Sequence, residues 1–269
     1  MRLISICPSN TELAVYLGLQ DHLIALDDFS DWPEELSHLP RLGPDLSIDI
    51  DKLESLNPEL VLASLSVPGM EKNITELEKR KIPHVVFNPQ SLQDISQDLQ
   101  TLGTLTDKIE DAEIIVSKYN EFIRTYKSLS ASITTPATVY FEWWPNPIFT
   151  PGKVNWLTEI SQLAGAENVF KDVDLASVQT DWNDVKNRNP EHICLSWVGV
   201  KQHRMKREHV LKREQADLVQ AVQQGNIHLL EESLYCRPSP RLLLGLKRLA
   251  ALLHPTVFPQ DGLDQDPLL

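Results

Sequence analysis

Short apolar runs alternate along the chain with segments whose apolar positions recur every three or four residues. The short runs predict buried strands, and the longer periodic segments predict amphipathic helices. Strands are predicted at residues 3–7, 23–27, 60–63, 85–88, 138–143, 193–197 and 227–230. Helices are predicted between the early strands at residues 11–17, 49–56, 70–81 and 92–102. Such alternation is typical of βα units with largely parallel sheets, so the predicted fold class is α/β.

The strongest helical pattern covers residues 107–130 and lies between the two series of strands. A helix of about 23 residues would be about 35 Å long, which is enough to cross a whole lobe. We therefore interpret it as a rigid connector, although an ordinary long surface helix would show the same pattern. Its apolar stripe consists of Ile109, Ala112, Val116, Tyr119, Ile123 and Tyr126.

Residues typical of helix ends flank two of these helices. Ser91 is suited to cap the helix that begins at residue 92, and Gly103 is suited to end it in a left-handed conformation. Asp107 and Glu110 have the spacing of an N-terminal capping pair for the connector. The predicted organisation is therefore a lobe at 1–106, the helix at 107–130, a lobe at 131–258 and a loose tail at 259–269.

Composition and charge exclude several classes of protein. The 269 residues are 42% hydrophobic, and no apolar stretch is long enough for a membrane span. A formal net charge of -13 disfavours a nucleic-acid binder. The amino terminus lacks the pattern of a secretory signal, which predicts a cytoplasmic protein as written, or a periplasmic or extracellular one if a leader was removed.

No segment has the pattern of a catalytic or metal site. The motifs of serine hydrolases, nucleotide-binding loops and zinc proteases are absent, and no two histidines have close metal-ligand spacing. Cys7 precedes a predicted helix, which could activate its thiol, but a buried strand residue is the simpler interpretation. The basic run from Lys201 to Arg213 contains Glu208 and is interpreted as a solvated helix face rather than a nucleic-acid patch. We therefore predict a binding protein and not an enzyme.

Tryptophans are concentrated in the loops that follow predicted strands. Ligands of open parallel sheets collect beyond the carboxyl ends of the strands, and aromatic rings there provide stiff contact area for a flat ligand. The alternative is that some of these rings close the cores of the lobes. The four residues are Trp32, Trp143, Trp144 and Trp197.

Several segments together resemble the substrate-binding proteins of ABC transporters for vitamin B12, haem and iron–siderophores. The opening strand and turn at 5–12 and the Leu-Asn-Pro-Glu-Leu strand at 56–63 resemble the superfamily. The segments at 28–33, 146–153, 163–170 and 237–241 resemble its vitamin B12-binding branch. The matching segments occur in order from residue 2 to about residue 255. No single segment is specific for the fold, but the ordered set is.

This resemblance implies two Rossmann-like lobes joined by one long helix, with a ligand cleft between them. The implied ligand is a corrinoid, cobalamin or cobinamide, with no catalytic cofactor and no metal site. It implies that Glu71 docks on an ABC permease. No nucleic-acid partner and no membrane span are expected. We expect ring contacts to a ligand from Trp32, Trp143, Trp144 and Trp197, polar contacts from Ser9, Asn10, Ser66 and Thr150, and an approach of Tyr235 from the second lobe.

Two alternatives stay open at this point. Haem or a ferric siderophore is the second candidate ligand, and Arg41 and Arg237 are the arginines that could serve a siderophore. The third interpretation is a chelatase-like or corrinoid-modifying enzyme, which would need a metal-binding cluster such as one containing His38 and His84.

Overall fold

The computed structural model describes residues 1–269 and divides into two compact units. The first unit consists of Met1–Tyr119 with Pro238–Pro240 and Leu268–Leu269. The second consists of Asn120–Arg237 and Arg241–Pro267. The division therefore falls inside the long helix that the sequence predicts as a connector.

The first unit is a parallel sheet with helices after its strands, as the sequence predicts. The strand order is β2-β1-β3-β4, and every pairing is parallel. Every residue of β1 and β3 is buried, which explains why their sequences are continuous apolar runs rather than alternating ones. The elements are β1 (Leu3–Ser5), α1 (Pro8–Tyr16), β2 (Leu23–Leu26), α2 (Ile50–Ser55), β3 (Leu60–Ser64), α3 (Glu71–Lys79), β4 (His84–Phe87) and α4 (Leu92–Leu105).

The prediction for the start of α4 is confirmed, and the prediction for its end is wrong. Ser91 accepts a hydrogen bond from the backbone of Asp94, whose side chain bonds back to the backbone of Ser91. Gly103 does not end the helix, which continues to Leu105. A Cβ atom at Gly103 would lie 2.5 Å from the Cβ of Ala112, so this glycine permits close packing against the next helix.

The long helix α5 (Ile109–Ser130) is confirmed, with two corrections. Ala112, Val116, Tyr119 and Tyr126 are buried, but Ile109 is 52% exposed and does not belong to the buried stripe. The predicted capping pair does not form, because Asp107 has a φ of 56°, whereas an N-cap residue needs an extended backbone. The first turn instead begins at Lys108, whose carbonyl accepts the N–H of Ala112.

The second unit contains a parallel sheet and a smaller antiparallel sheet. The parallel sheet has the order β11-β10-β5-β8, and the antiparallel one has the order β6-β7-β9. The sequence predicts β5, β10 and β11 but misses β8 and the antiparallel sheet. The elements are β5 (Ala137–Glu142), β6 (Trp144–Pro145), β7 (Ile148–Pro151), α6 (Trp156–Leu163), β8 (Ala166–Asn168), β9 (Ser177–Thr180), α7 (Trp182–Arg188), β10 (His192–Leu195), α8 (Glu208–Leu211), α9 (Gln220–Gln223), β11 (Ile227–Leu229), α10 (Glu232–Tyr235) and α11 (Leu242–Leu253).

The carboxyl-terminal residues are not a loose tail. Arg248 donates to the carbonyl of Leu263 at 2.9 Å and pairs with Asp264 at 2.9 Å. Leu268 is only 1% exposed. The prediction failed because a polar segment containing proline and glycine can still be held by partners distant in sequence.

Two histidines that are far apart in sequence meet on neighbouring strands of the second unit. Nδ1 of His192 and Nε2 of His228 are 3.0 Å apart, so one ring donates a hydrogen bond to the other. Burial lowers the pKa of His192, and burial together with the charges of His192 and Arg207 lowers the pKa of His228 to about 4. Both rings are therefore neutral at neutral pH.

The stability of the protein should consequently fall below pH 6.5. Unfolded histidine has a pKa near 6.5, so protons bind the unfolded chain first, and stability is lost as the pH falls from 6.5 towards 4. Partial exposure reduces the contribution of His228 to about 1–2 kcal/mol. Urea denaturation of the His228→Gln variant should show a flatter pH dependence in this range. The exposed His203→Gln control should keep the parental slope, and an unchanged slope in both variants would contradict the assignment.

Candidate functional site

Hydroxyl and thiol groups meet at the carboxyl ends of β1 and β3 in the first unit. The Sγ of Cys7 lies 3.3 Å from the Oγ of Ser9 and 4.0 Å from the Oγ of Ser66. They converge because neighbouring parallel strands end at the same edge of a sheet. Burial raises the pKa of Cys7 to about 11, so its thiol is protonated at neutral pH and is not an activated nucleophile. Cys7 is buried, but it lies at the N-cap of α1 and not in β1 as the sequence predicts.

Asn10 and Trp32 are both engaged within the first unit. Asn10 is 1% exposed, and its Nδ2 donates to the carbonyl of Ala63 at 2.8 Å, which ties α1 to β3. The ring of Trp32 packs against Tyr16 with centroids 5.6 Å apart. Their roles in ligand binding stay predictions.

The predicted docking residue, Glu71, is the exposed first residue of α3. Its Oε2 accepts the backbone N–H of Gly69 at 2.7 Å. The carboxylate is therefore presented on the surface in a defined orientation, and its contact with a permease stays a prediction.

In the second unit, the buried carboxylate of Glu142 joins three parts of the chain. Arg213 approaches it with both terminal nitrogens, at 2.6 and 2.8 Å. Tyr140 donates its hydroxyl at 2.8 Å, and Trp197 donates its indole N–H at 3.1 Å. Glu142 has no exposed surface, so a charged hydrogen-bond network closes the carboxyl end of β5.

The position of Arg213 in this network corrects the prediction for the basic run, and the network also fixes the surroundings of Trp197. The basic run is not one solvated helix: it contains a 3-10 turn at Gln202–Arg204 and the short helix α8, and the side chain of Arg213 is only 14% exposed. Trp197 is 8% exposed and packs in the core of this unit. Its hydrogen-bonding capacity is used by Glu142, so any contact of Trp197 with a ligand stays a prediction.

Two of the predicted ligand-binding residues carry buried polar atoms without a partner. Trp143 Nε1 and Thr150 Oγ1 are both inaccessible and make no hydrogen bond. The backbone of Trp143 is held on two sides: its N–H donates to Phe149 and its carbonyl accepts from Val198. These unpaired groups thus lie on an anchored segment that follows the carboxyl end of β5. Donors to a ligand are expected at this edge of the sheet.

The antiparallel sheet places an aromatic pair on its exposed side. Trp144 lies opposite Phe149 across β6 and β7, and Trp144 is 42% exposed. Ile148 and Thr150 are buried on the other side of β7, so Phe149 faces away from the core. The sequence prediction omitted Phe149, although the alternation along residues 148–150 could have identified it.

Tyr235 is fully engaged inside the second unit. Its hydroxyl donates to the carbonyl of Gly245 at 2.9 Å, and its own carbonyl accepts the indole N–H of Trp156 at 2.9 Å. The ring of Trp156 lies 5.9 Å from that of Trp143. Tyr235 therefore holds the ring of Trp156, which packs against the ring of Trp143. A direct contact between Tyr235 and a ligand stays a prediction.

The residues named for the alternative ligands also have partners. Arg41 donates to the carbonyls of Asp27 and Ser30 at 2.9 and 2.7 Å. Arg237 pairs with Glu232 at 3.0 Å. The Nδ1 atoms of His38 and His84 lie within hydrogen-bonding distance of backbone carbonyls two or three residues away.

A surface depression of about 460 Å³ lies beside the hairpin of the second unit. It is lined by the turn between β6 and β7, the first turn of α7, and Arg213 and Glu214. None of the predicted ligand-binding residues lines it, so it does not coincide with the candidate site.

Comparison with known proteins identifies relatives of the whole chain. Residues 3–234 match the periplasmic binding protein family. A vitamin B12-binding protein of Pectobacterium atrosepticum is 27% identical over 256 residues, which cover 94% of this chain and 88% of the relative. No helix of the structure combines the length and the apolar character that crossing a bilayer requires.

Solved structures share the fold. The periplasmic vitamin B12 binding protein BtuF of Vibrio cholerae aligns with a TM-score of 0.77 at 22% identity, covering 94% of this chain and 96% of that chain. A periplasmic heme binding protein from Pseudomonas aeruginosa aligns with a TM-score of 0.84 at 19% identity, covering 99% and 96%. The predicted class of two α/β lobes with a long helix is confirmed, and the matched proteins are binding proteins rather than enzymes. Because the family match spans most of its length, the chain belongs to the periplasmic binding protein family.

Proposed function

We propose that this chain binds a corrinoid, cobalamin or cobinamide, as a substrate-binding protein related to ABC import. The proposal rests on the residues that follow β5 in the second unit. The relative named as a vitamin B12-binding protein supports the same ligand class.

The observation that carries the proposal is the pair of unpartnered polar groups on Trp143 and Thr150. A buried donor without an acceptor costs about 1–3 kcal/mol, so such groups are expected where a ligand supplies the acceptor. The rim of a corrin macrocycle carries amide groups, whose carbonyl oxygens would accept hydrogen bonds from the indole N–H and the hydroxyl. Thr150 has no exposed surface, so a ligand would reach its hydroxyl only if the side chains around it move on binding.

The aromatic pair of exposed Trp144 and half-buried Phe149 provides the second element of the proposed site. Trp144 and Phe149 lie side by side on the antiparallel sheet, outside the core of the unit. Flat, apolar ligand surfaces pack well on such rings, whereas a small polar ligand would gain little from them. Ring contacts, with the indole N–H of Trp143 on the same segment of chain, fit a large, flat ligand with polar edges.

Haem and ferric siderophores are less well matched by the residues present. Haem carries two propionates, and catecholate and carboxylate siderophores are anionic, so arginines or lysines are expected to pair with these ligands. Arg41 already donates to two carbonyls, and Arg237 is paired with Glu232. Binding either ligand through these arginines would require breaking existing contacts.

Replacing Trp143 with phenylalanine should weaken cyanocobalamin binding about tenfold, because the ring is kept and one donor is lost. Isothermal titration calorimetry should show the same direction for Thr150→Val. The control is Trp182→Phe, since its indole N–H donates within the protein, to the carbonyl of Glu214. Failure of the parent protein to bind either cyanocobalamin or cobinamide would reject the corrinoid proposal. A shift of the haemin Soret band relative to haemin in buffer would favour haem.

A further inference from the structure

Residues 198–218, named here the basic segment, carry a dense group of exposed cations in an otherwise acidic protein. The segment leaves the second unit's parallel sheet after β10. The segment contains six cations and three carboxylates, Glu208, Glu214 and Asp217, so its formal charge is +3 in a chain whose net charge is -13. Five of the cations and one carboxylate, Glu208, occupy positions 201–212. The five are Lys201, Arg204, Lys206, Arg207 and Lys212, and all are exposed.

These cations are directed outwards because the segment is anchored from within. Met205 and Val210 are buried in the core of the second unit. Gln202 donates to the carbonyl of Leu229, and Arg213 pairs with buried Glu142. The segment is thus held against the unit at several points along its length, with its charges on the outer side.

None of the five cations is paired with a carboxylate of the protein. Arg213, at the end of the run, is neutralised by Glu142, but Glu208 forms no ion pair with its basic neighbours. Unpaired charges at this density repel one another, so an external anionic surface would stabilise them.

Exposed apolar side chains accompany the cations. Val198, Leu211 and Leu218 are 43%, 49% and 61% exposed. Cations beside exposed aliphatic side chains are typical of protein surfaces that bind in the headgroup region of a bilayer. A nucleic-acid surface would instead favour aromatic rings for stacking, and this segment contains no Phe, Tyr or Trp.

We propose that the basic segment docks on an anionic phospholipid surface. The net negative charge of the protein does not prevent this, because the Debye length at physiological salt is only about 8 Å and distant carboxylates are screened. The cations would meet the phosphates while the aliphatic side chains enter the interface. This inference is independent of which ligand the protein binds.

Co-sedimentation with vesicles tests the proposal. The parent protein should bind vesicles of phosphatidylcholine mixed with phosphatidylglycerol at physiological ionic strength, and should not bind phosphatidylcholine alone. High salt should release it. The triple variant Lys201→Glu, Arg204→Glu, Arg207→Glu should lower the partition coefficient at least about tenfold. Leu211→Ser with Leu218→Ser should weaken binding while keeping its salt dependence.

A matched control separates the segment from total charge. Lys72→Glu, Arg124→Glu, Lys127→Glu changes the net charge by the same amount on exposed positions elsewhere, and it should bind vesicles nearly as well as the parent. Equal losses of vesicle binding in the two triple variants would overturn the proposal. Failure of the parent protein to bind anionic vesicles would also overturn it. Retention on immobilised DNA without vesicle binding would overturn it in favour of a nucleic acid.

Discussion

Replacing Arg213 with methionine should lower the free energy of unfolding by about 3 kcal/mol. The substitution keeps an unbranched side chain but leaves the carboxylate of Glu142 without its positive partner. Glu142 has no exposed surface, so water cannot replace the two lost hydrogen bonds. Tyr140 and Trp197 still donate to it, which keeps the loss below that of a wholly unpaired charge. Urea denaturation at neutral pH measures the effect.

Two further variants show whether burial of the charge causes this loss. Arg80→Met also removes a paired arginine, but its carboxylate partners Asp51, Glu54 and Glu76 are 86%, 51% and 38% exposed, so stability should hardly change. Adding Glu142→Gln to the Arg213 variant should recover part of the loss, because a neutral amide can remain buried among the same donors. If Arg80→Met costs as much as Arg213→Met, burial is not the reason.

The central strands of the parallel sheets could be predicted from the sequence because they are buried on both faces. Residues 60–64 are all apolar apart from Ser64, and all are buried. A continuous apolar run of that length between helical segments has few other interpretations. The long helix was predictable for a similar reason, since its buried positions repeat along 22 residues.

The antiparallel sheet could not be predicted in the same way. β6 contains only Trp144 and Pro145, and β7 ends at Pro151. Proline is disfavoured in strands, so the segment looks like a loop. The pairing of β7 with β9 depends on residues almost thirty positions apart, and no local pattern specifies it.

The candidate site was predictable only in part. Tryptophans after strands mark the carboxyl edges, and Trp143 and Trp144 do lie there. The sequence does not show that Trp143 lacks a partner while Trp197 has one, because that depends on Glu142. Nor does it show the ion pair of Glu142 with Arg213, which are 71 positions apart. The available signal was a single carboxylate at the end of an apolar strand.

Gly245→Ala should lower the free energy of unfolding by about 3 kcal/mol, contrary to what helix propensity alone predicts. Gly245 lies inside α11, where alanine would normally stabilise a helix by about 1 kcal/mol. A Cβ atom at this position, however, would overlap the carbonyl oxygen of Leu234 and lie 3.3 Å from Cε1 of Tyr235. The carbonyl oxygen of Leu234 is a backbone atom and cannot rotate away. The steric cost of the Cβ atom therefore exceeds the gain in helix propensity.

The Gly245→Ala substitution should also change the packing of Trp156 and Trp143 near the proposed ligand site. The carbonyl of Gly245 accepts the hydroxyl of Tyr235, and the carbonyl of Tyr235 accepts the indole N–H of Trp156. Displacing α11 should therefore change the tryptophan fluorescence of the folded protein as well as its denaturation midpoint. Gly199→Ala is the control: φ is 71° but no atom lies within 4 Å of the added Cβ, so only the backbone cost of about 1 kcal/mol is expected. Equal losses in the two variants would mean that conformational strain, and not the packing of α11 against residue 234, determines the need for glycine.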